Sequence, residues 1–396
     1  MRRFLRATGL LGVLALQACN TTPGALPPWV AEPAPAASAA AADPSAASAA
    51  SAPPGAEASG GATAASAPDT SAPASGPGRY AQRHEGLSFA AGLAQRQPEL
   101  PVERTLAALA QAQYQPSVAR LIMPAATPAA KNWAQYRARF VEPKRIQAGQ
   151  QFMTAQAAAL QAAEQRWGVP APIIAAIIGV ETFYGRNTGN FRALDALATL
   201  AFDFPTGRSD RSAFFRDELE ALIRLSLREG QAPESYLGSY AGALGLPQFM
   251  PSSWLKYAVD FDGDGRIDLQ GSPSDAIGSV ANFLAAHGWQ AGLRTHYGVE
   301  PPAPGTGLQT LLAPDILPSF TPDDMAAHGA RLSLEAQQHP GLLALVELKN
   351  GDKAPSYVAG TDNFWVLTRY NRSSYYALSI IDLAQALSTT PAISAR

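Results

Sequence analysis

The run Ile173-Ile174-Ala175-Ala176-Ile177-Ile178-Gly179-Val180-Glu181-Thr182-Phe183-Tyr184-Gly185 decides how this chain is read. A helix that is apolar on nearly every face is a buried one. Gly168-Val169-Pro170 separates it from the Ala/Gln-rich segment Gln147–Trp167, which has strong helix propensity, and Pro170 suits the first turn of the new helix. At the far end stands Glu181. A carboxyl group after such a run is poorly solvated, and desolvation raises its pKa toward the range a general acid needs at neutral pH. A glutamate that simply leaves a helix into solvent fits the same pattern. Helix logic alone leaves both readings open.

Working outward, helical signals dominate. Arg211–Glu229 is amphipathic, with Phe215, Leu219, Leu222 and Ile223 on one face. Ser274–His287 reads as another helix, with Ser274 as N-cap and Gly288 at the stop. His287 belongs to that helix end. Toward the C-terminus, Leu342–Lys349 and Tyr357–Ala359 flank an Asn350-Gly351 turn, Phe364–Arg369 reads as a third extended run, and one more helix fits after it. The expectation is an α+β chain, mostly helical, with a small β element and no sequence repeat.

Composition narrows the function. Lys and Arg number 30 against 32 Asp and Glu, so the basic excess of a nucleic-acid binder is missing and no nucleic-acid partner is expected. One cysteine excludes an internal disulfide framework and a cysteine-based zinc site. The five histidines show no metal-ligand spacing.

The N-terminal residues do not read as a domain. Arg2, Arg3 and Arg6 form a basic region and Leu10 to Leu16 an apolar one too short to span a bilayer, as in a signal peptide over 1–18. Leu16-Gln17-Ala18-Cys19 resembles a bacterial lipobox, which implies cleavage before Cys19 and lipid on that cysteine. An ordinary signal peptide with an incidental cysteine is the alternative. Residues 19–78 are mostly Ala, Pro, Ser, Gly and Thr, a composition that buries too little apolar surface to fold. As a coil, such a tether spans about 40–45 Å. Asn20 is not the aspartate associated with inner-membrane retention, which favours a periplasmic protein anchored to the outer membrane.

Asp260-Phe261-Asp262-Gly263-Asp264-Gly265-Arg266-Ile267-Asp268 reads as the start of an EF-hand-like loop. Acids at positions 1, 3 and 5 converge oxygens on a hard cation, Gly265 permits the sharp turn, and position 7 supplies the Arg266 carbonyl. Position 12 is Gly271 where a glutamate is usual. A solvated acidic turn is the alternative to a structural calcium site. No organic cofactor is expected.

Several long motifs carry a family resemblance. Gly179 to Gly185, Leu194-Asp195-Ala196-Leu197-Ala198-Thr199-Leu200, Ser239 to Ser253, Ala276 to Asn282 and Thr368-Arg369-Tyr370-Asn371 are similar to the lytic murein transglycosylase B family. The resemblance covers most of residues 80–390 and identifies 79–396 as the catalytic region. It implies a lysozyme-like core that cleaves the β-1,4 bond between MurNAc and GlcNAc of peptidoglycan glycan strands. It implies that Glu181 is a general acid and base, assisted by the N-acetyl group of MurNAc, and that the C6 hydroxyl of the same sugar closes a 1,6-anhydro ring. Conventional glycosidases use two carboxylates. Here Asp195 and Asp203 read as structural acids, and one acid suffices when an intramolecular hydroxyl is the acceptor.

The same resemblance assigns Ser239 beside the acid and the substrate acetamido group. It assigns Gln248 as a sugar-binding amide, and Tyr136, Tyr370, Asn371 and Tyr376 to sugar subsites. Phe283 stands where the family usually has tyrosine, which removes a hydroxyl. Arg208 and Arg211 fall near the family's peptide-stem arginines, with different local spacing. In the loop, the late carboxylate becomes Asp275, with one extra residue before it. Two other readings stand beside this one: a lysozyme-type muramidase that uses water, and a non-catalytic peptidoglycan-binding lipoprotein. Cell-wall synthesis proteins are further candidate partners, and a monomer is expected.

Overall fold

Ile173, Ile174, Ile177 and Ile178 bury on all sides because the helix that carries them is surrounded by other helices. The computed structural model describes residues 79–123 and 131–389. The expected signal segment, Cys19 and the tether lie outside the described residues. In chain order the first helices are α1 (His84–Arg96), α2 (Val102–Gln111), α3 (Pro116–Leu121), α4 (Trp133–Phe140), α5 (Pro143–Ala155), α6 (Ala157–Trp167) and α7 (Ala171–Thr182). Then come α8 (Ala193–Phe202), α9 (Ser212–Glu229), α10 (Pro251–Tyr257) and α11 (Pro273–Ala286). Three short helices, α12 (Thr306–Leu312), α13 (Pro322–Ala327) and α14 (Leu334–Gln337), precede α15 (Asp362–Tyr370) and α16 (Ser374–Ser388). The central helix α7 packs against α5, α6, α11 and α16.

Two small antiparallel sheets complete the fold. The first pairs β1 (Phe191–Arg192) with β2 (Leu237–Gly238), Phe191 opposite Gly238. The second runs β4-β3-β6-β5, from β3 (His296–Glu300), β4 (Arg331–Leu332), β5 (Ala344–Asn350) and β6 (Lys353–Gly360). Asn350-Gly351 makes the β5–β6 turn as expected, with Gly351 at φ 65°. A second apolar cluster, including Leu311, Met325, Leu332, Leu343 and Leu345, joins this sheet to α12–α14.

The mostly helical expectation with a small β element holds, but four details differ. The segment 147–167 is two helices that meet at Gln156, where the backbone turns to φ −109°, ψ 23°. No Gly or Pro marks that bend. Pro172 occupies the first turn of α7, and Pro170 is its N-cap. Ser272, not Ser274, caps α11 by accepting the Asp275 N–H, and Pro273 takes the first turn. Phe364–Arg369 is helical rather than extended, because the Thr361 hydroxyl caps α15 at Asn363.

Candidate active site

Glu181 lies in the last turn of α7, and the chain beyond it folds back sharply. Phe183 and Tyr184 both adopt positive φ, at 52° and 60°. These are sparsely populated conformations for bulky residues and need surrounding contacts to hold them. Tyr184 turns back onto its own helix, so that a Cβ at Gly179 would sit 2.5 Å from the tyrosine ring. Glycine at 179 is therefore a packing requirement. The Arg145 guanidinium donates to the Gly179 carbonyl at 2.5 Å and covers the Phe183 ring at 4.8 Å. The sequence does not single out Thr182, Tyr184 or Arg145 as site residues, because their part depends on how the chain folds back at the helix end.

The acid has a phenol beside it. Tyr376 Oη donates to Glu181 Oε1 at 2.7 Å. Burial and the Glu181 charge push the Tyr376 pKa well above the usual tyrosine range, so the phenol stays a donor at neutral and mildly alkaline pH. Tyr370 stacks parallel to Tyr376, centroids 6.3 Å apart, and burial likewise raises its pKa. Its hydroxyl donates to the Pro247 carbonyl at 2.5 Å. Both tyrosines were expected to line sugar subsites; the structure makes Tyr376 the direct partner of the acid.

The β1–β2 pair brings the segment after Glu181 alongside the segment that carries Ser239 and Gln248. Ser239 Oγ accepts the Ala243 N–H at 3.0 Å, which fixes the turn. Gln248 sits at φ 50°, and its amide NH2 donates to the carbonyls of Thr188, at 3.0 Å, and Gly245, at 2.9 Å. Its side-chain carbonyl is an acceptor separate from those bonds. Among the described residues, three of the five non-glycine residues with positive φ are Phe183, Tyr184 and Gln248, so backbone strain concentrates on these two turns.

Phe283 is buried among Phe249, Tyr257, Tyr370 and His287, with its ring 4.0 Å from the His287 ring. Here it packs the wall behind Tyr370. Tyr136 packs against Trp133, Phe140 and Tyr375. Asn371 Oδ1 is shielded and has no hydrogen-bond partner among the described residues. Arg211 lies close enough to Arg208 and Arg372 for mutual repulsion to lower its pKa beyond the effect of burial. Asp195 accepts from Gln113 N–H and Gln115 Nε2, and Asp203 pairs with Arg83 at 2.6 Å. Both acids thus have structural partners.

In the acidic loop, carboxylate oxygens of Asp260, Asp262 and Asp264 lie within 4.8 Å of one another. Three oxygen donors at that spacing fit a hard divalent cation. Asp275 is handled differently from the expectation. It is buried, and its carboxylate accepts N–H groups of Phe261 at 2.7 Å, Asp262 at 3.4 Å and Asp268 at 2.7 Å. It is not gathered with the other three acids, although Asp260 likewise accepts loop amides, from Gly263 and Gly265. Burial pushes its pKa up.

Residues 89–385 match the family model described as a transglycosylase SLT domain. The membrane-bound lytic murein transglycosylase B of Escherichia coli strain K12 is 41% identical over 259 residues, which cover 64% of this chain and 67% of that protein. The Escherichia coli lytic transglycosylase Slt35 in complex with calcium has a TM-score of 0.68 at 36% identity, covering 78% of this chain and 95% of that one. SltB3 from Pseudomonas aeruginosa, in complex with NAG-anhNAM-pentapeptide, has a TM-score of 0.62 at 29% identity, over 76% and 78% of the two chains. The family match runs from before Tyr136 to beyond Tyr376 and takes in every element that surrounds Glu181; the chain belongs to the transglycosylase SLT domain family.

Proposed function

We propose that this chain is a lytic murein transglycosylase that cleaves the MurNAc-β-1,4-GlcNAc bond of peptidoglycan with Glu181 as its acid and base. The observation that carries the residue assignment is the Tyr376–Glu181 hydrogen bond at 2.7 Å. There one carboxyl group at a strained helix end meets a buried phenol, and the half-buried Tyr370 ring stacked on that phenol suits a sugar face. Protonated Glu181 gives its proton to the glycosidic oxygen, and the C1–O bond breaks as the MurNAc acetamido oxygen bonds to C1. Ionised Glu181 then takes the proton of the C6 hydroxyl, O6 bonds to C1, and the acetamido oxygen is released. Proton and electrons balance without water, and the product end is a 1,6-anhydro sugar. The effective molarity of the intramolecular hydroxyl favours it over water.

Ser239, Gln248, Tyr136, Tyr370 and Asn371 bind the sugars in this reading, with Phe283 as a backing wall. The shielded Asn371 oxygen and the Gln248 carbonyl are acceptors for sugar hydroxyl or amide groups. The Arg208, Arg211 and Arg372 group suits peptide carboxylates. Asp260, Asp262, Asp264 and the Arg266 carbonyl hold calcium, which supplies loop rigidity, and Asp275 latches the loop backbone. Lipid on Cys19 anchors the protein to the outer membrane, facing the periplasm. Loss of membrane association in Cys19→Ala tests that anchor. Glu181→Gln tests the acid: the variant folds but releases no muropeptides from purified peptidoglycan. Retained release would overturn the assignment.

A further inference from the structure

We infer that Thr182 is a positioning residue that sets the distance between the Glu181 carboxylate and the Gln248 turn. The inference rests on the reading of Glu181 as the acid. Thr182 follows Glu181 directly and is 1% exposed. Its hydroxyl lies 2.9 Å from the Leu246 carbonyl and 3.2 Å from the Ile178 carbonyl, so its single proton serves both acceptors. The same oxygen accepts the Gly185 N–H at 3.0 Å. One hydroxyl therefore joins the helix, its strained exit turn and the Leu246-Pro247-Gln248 segment, which lies more than sixty residues away in sequence.

The acceptor of this bond is itself held. Leu246 N–H donates to the Leu269 carbonyl at 2.8 Å. A Cβ on Gly245 would lie 2.3 Å from that same carbonyl, so the segment is pressed against the end of the acidic loop. On the other side, Pro247 accepts from Tyr370. Tyr370 stacks on Tyr376, and Tyr376 bonds Glu181. The contacts close a ring: Glu181, Thr182, Leu246, Pro247, Tyr370, Tyr376 and back to Glu181. Aromatic side chains supply one half of that ring. On the other half the Thr182 hydroxyl is the link next to the acid, and the Gln248–Thr188 bond joins the same two segments further along the exit. A β-branched residue is stiff at χ1, which suits a fixed spacer.

A ring of this kind matters to turnover more than to ground-state binding, because small misplacements of a catalytic group cost rate steeply. The test compares Glu181→Gln, Thr182→Val, Thr182→Ala and Thr182→Ser on purified peptidoglycan, with activity expressed per folded molecule from thermal melts. The expected result for Thr182→Val and Thr182→Ala is a kcat lower by about tenfold or more, with KM within about twofold. Thr182→Ser, which keeps the hydroxyl, recovers most of that loss. Unchanged kcat per folded molecule in the Val and Ala variants overturns the inference, as does a change confined to KM or a serine variant no better than alanine. Failure of both Val and Ala variants to fold also overturns it, since the hydroxyl would then serve folding. An active Glu181→Gln enzyme sinks the underlying reading; an inactive one beside a normal Thr182→Val sinks this inference alone.

Discussion

Glu181 ends a helix, whereas Asp275 lies in the first turn of one. A helix C-terminus carries partial negative charge and disfavours an ionised carboxylate; an N-terminus favours it. Asp275 adds three backbone N–H donors from the loop it closes. Glu181 is met by a phenol whose own proton is held fast by burial. The two carboxylates come from the same residue class and attach to the same core, yet one accepts the amides of a loop and the other, in the proposed reading, exchanges a proton. Helix polarity and partner type separate the two settings, and so does burial: Asp275 is 1% exposed, whereas Glu181 is half-buried.

Breaking each carboxylate's partners sharpens that contrast. Tyr376→Phe is expected to have the largest effect on rate, lowering kcat about 10–100-fold, the range for losing a hydrogen bond to a charged group. Without that donor the ionised carboxylate is less favoured, so the alkaline limb of the pH–rate profile moves to higher pH. A profile unmoved in Tyr376→Phe would detach the phenol from the acid. Asp275→Asn acts on stability instead. It lowers unfolding free energy by about 1–3 kcal/mol, the cost of leaving buried amide donors poorly paired, while turnover per folded molecule stays near that of the wild type. Urea unfolding alongside muropeptide release separates the two effects.

Calcium at the proposed loop site gives an effect of similar size. Addition at about 100 times its dissociation constant stabilises a single-site protein by about 2.7 kcal/mol. Asp262→Asn, which leaves the Asp275 latch in place, should abolish most of the calcium-dependent rise in Tm. The smallest effect belongs to Glu218, a buried acid of α9. Glu218 accepts the Ser252 N–H at 3.0 Å and hydroxyl at 2.7 Å, and burial raises its pKa. Because its folded pKa exceeds the unfolded one, the folded state binds the extra proton, and stability from this group falls as pH rises through the window above pH 4.5. Glu218→Gln should therefore flatten the stability–pH curve just above that value. An unchanged curve would remove Glu218 from the titrating groups.

The buried helix was legible because an apolar run has one physical outlet, enclosure by other elements. The hairpin at Asn350-Gly351 was legible for an equally local reason, the left-handed preference of that turn. Phe364–Arg369 was not: Phe364, Trp365 and Val366 suit a strand, and only the cap at Thr361 turns the segment into a helix. The bend at Gln156 has no Gly, Pro or side-chain cap to mark it. At the site, Glu181 and Gln248 were visible through motifs. The bond from Tyr376, the ring through Thr182 and the latch role of Asp275 depend on residues brought together by the fold, and spacing along the chain carries no trace of such contacts.

The central claim is that one carboxyl group serves both proton transfers while the sugar's own hydroxyl attacks. Digestion of purified peptidoglycan in water labelled with heavy oxygen, followed by mass spectrometry of the products, tests it directly. The account predicts 1,6-anhydro ends, each one water lighter than a hydrolysed end and free of label. Reducing ends that carry the label would contradict it and would assign the chain to water-using hydrolysis.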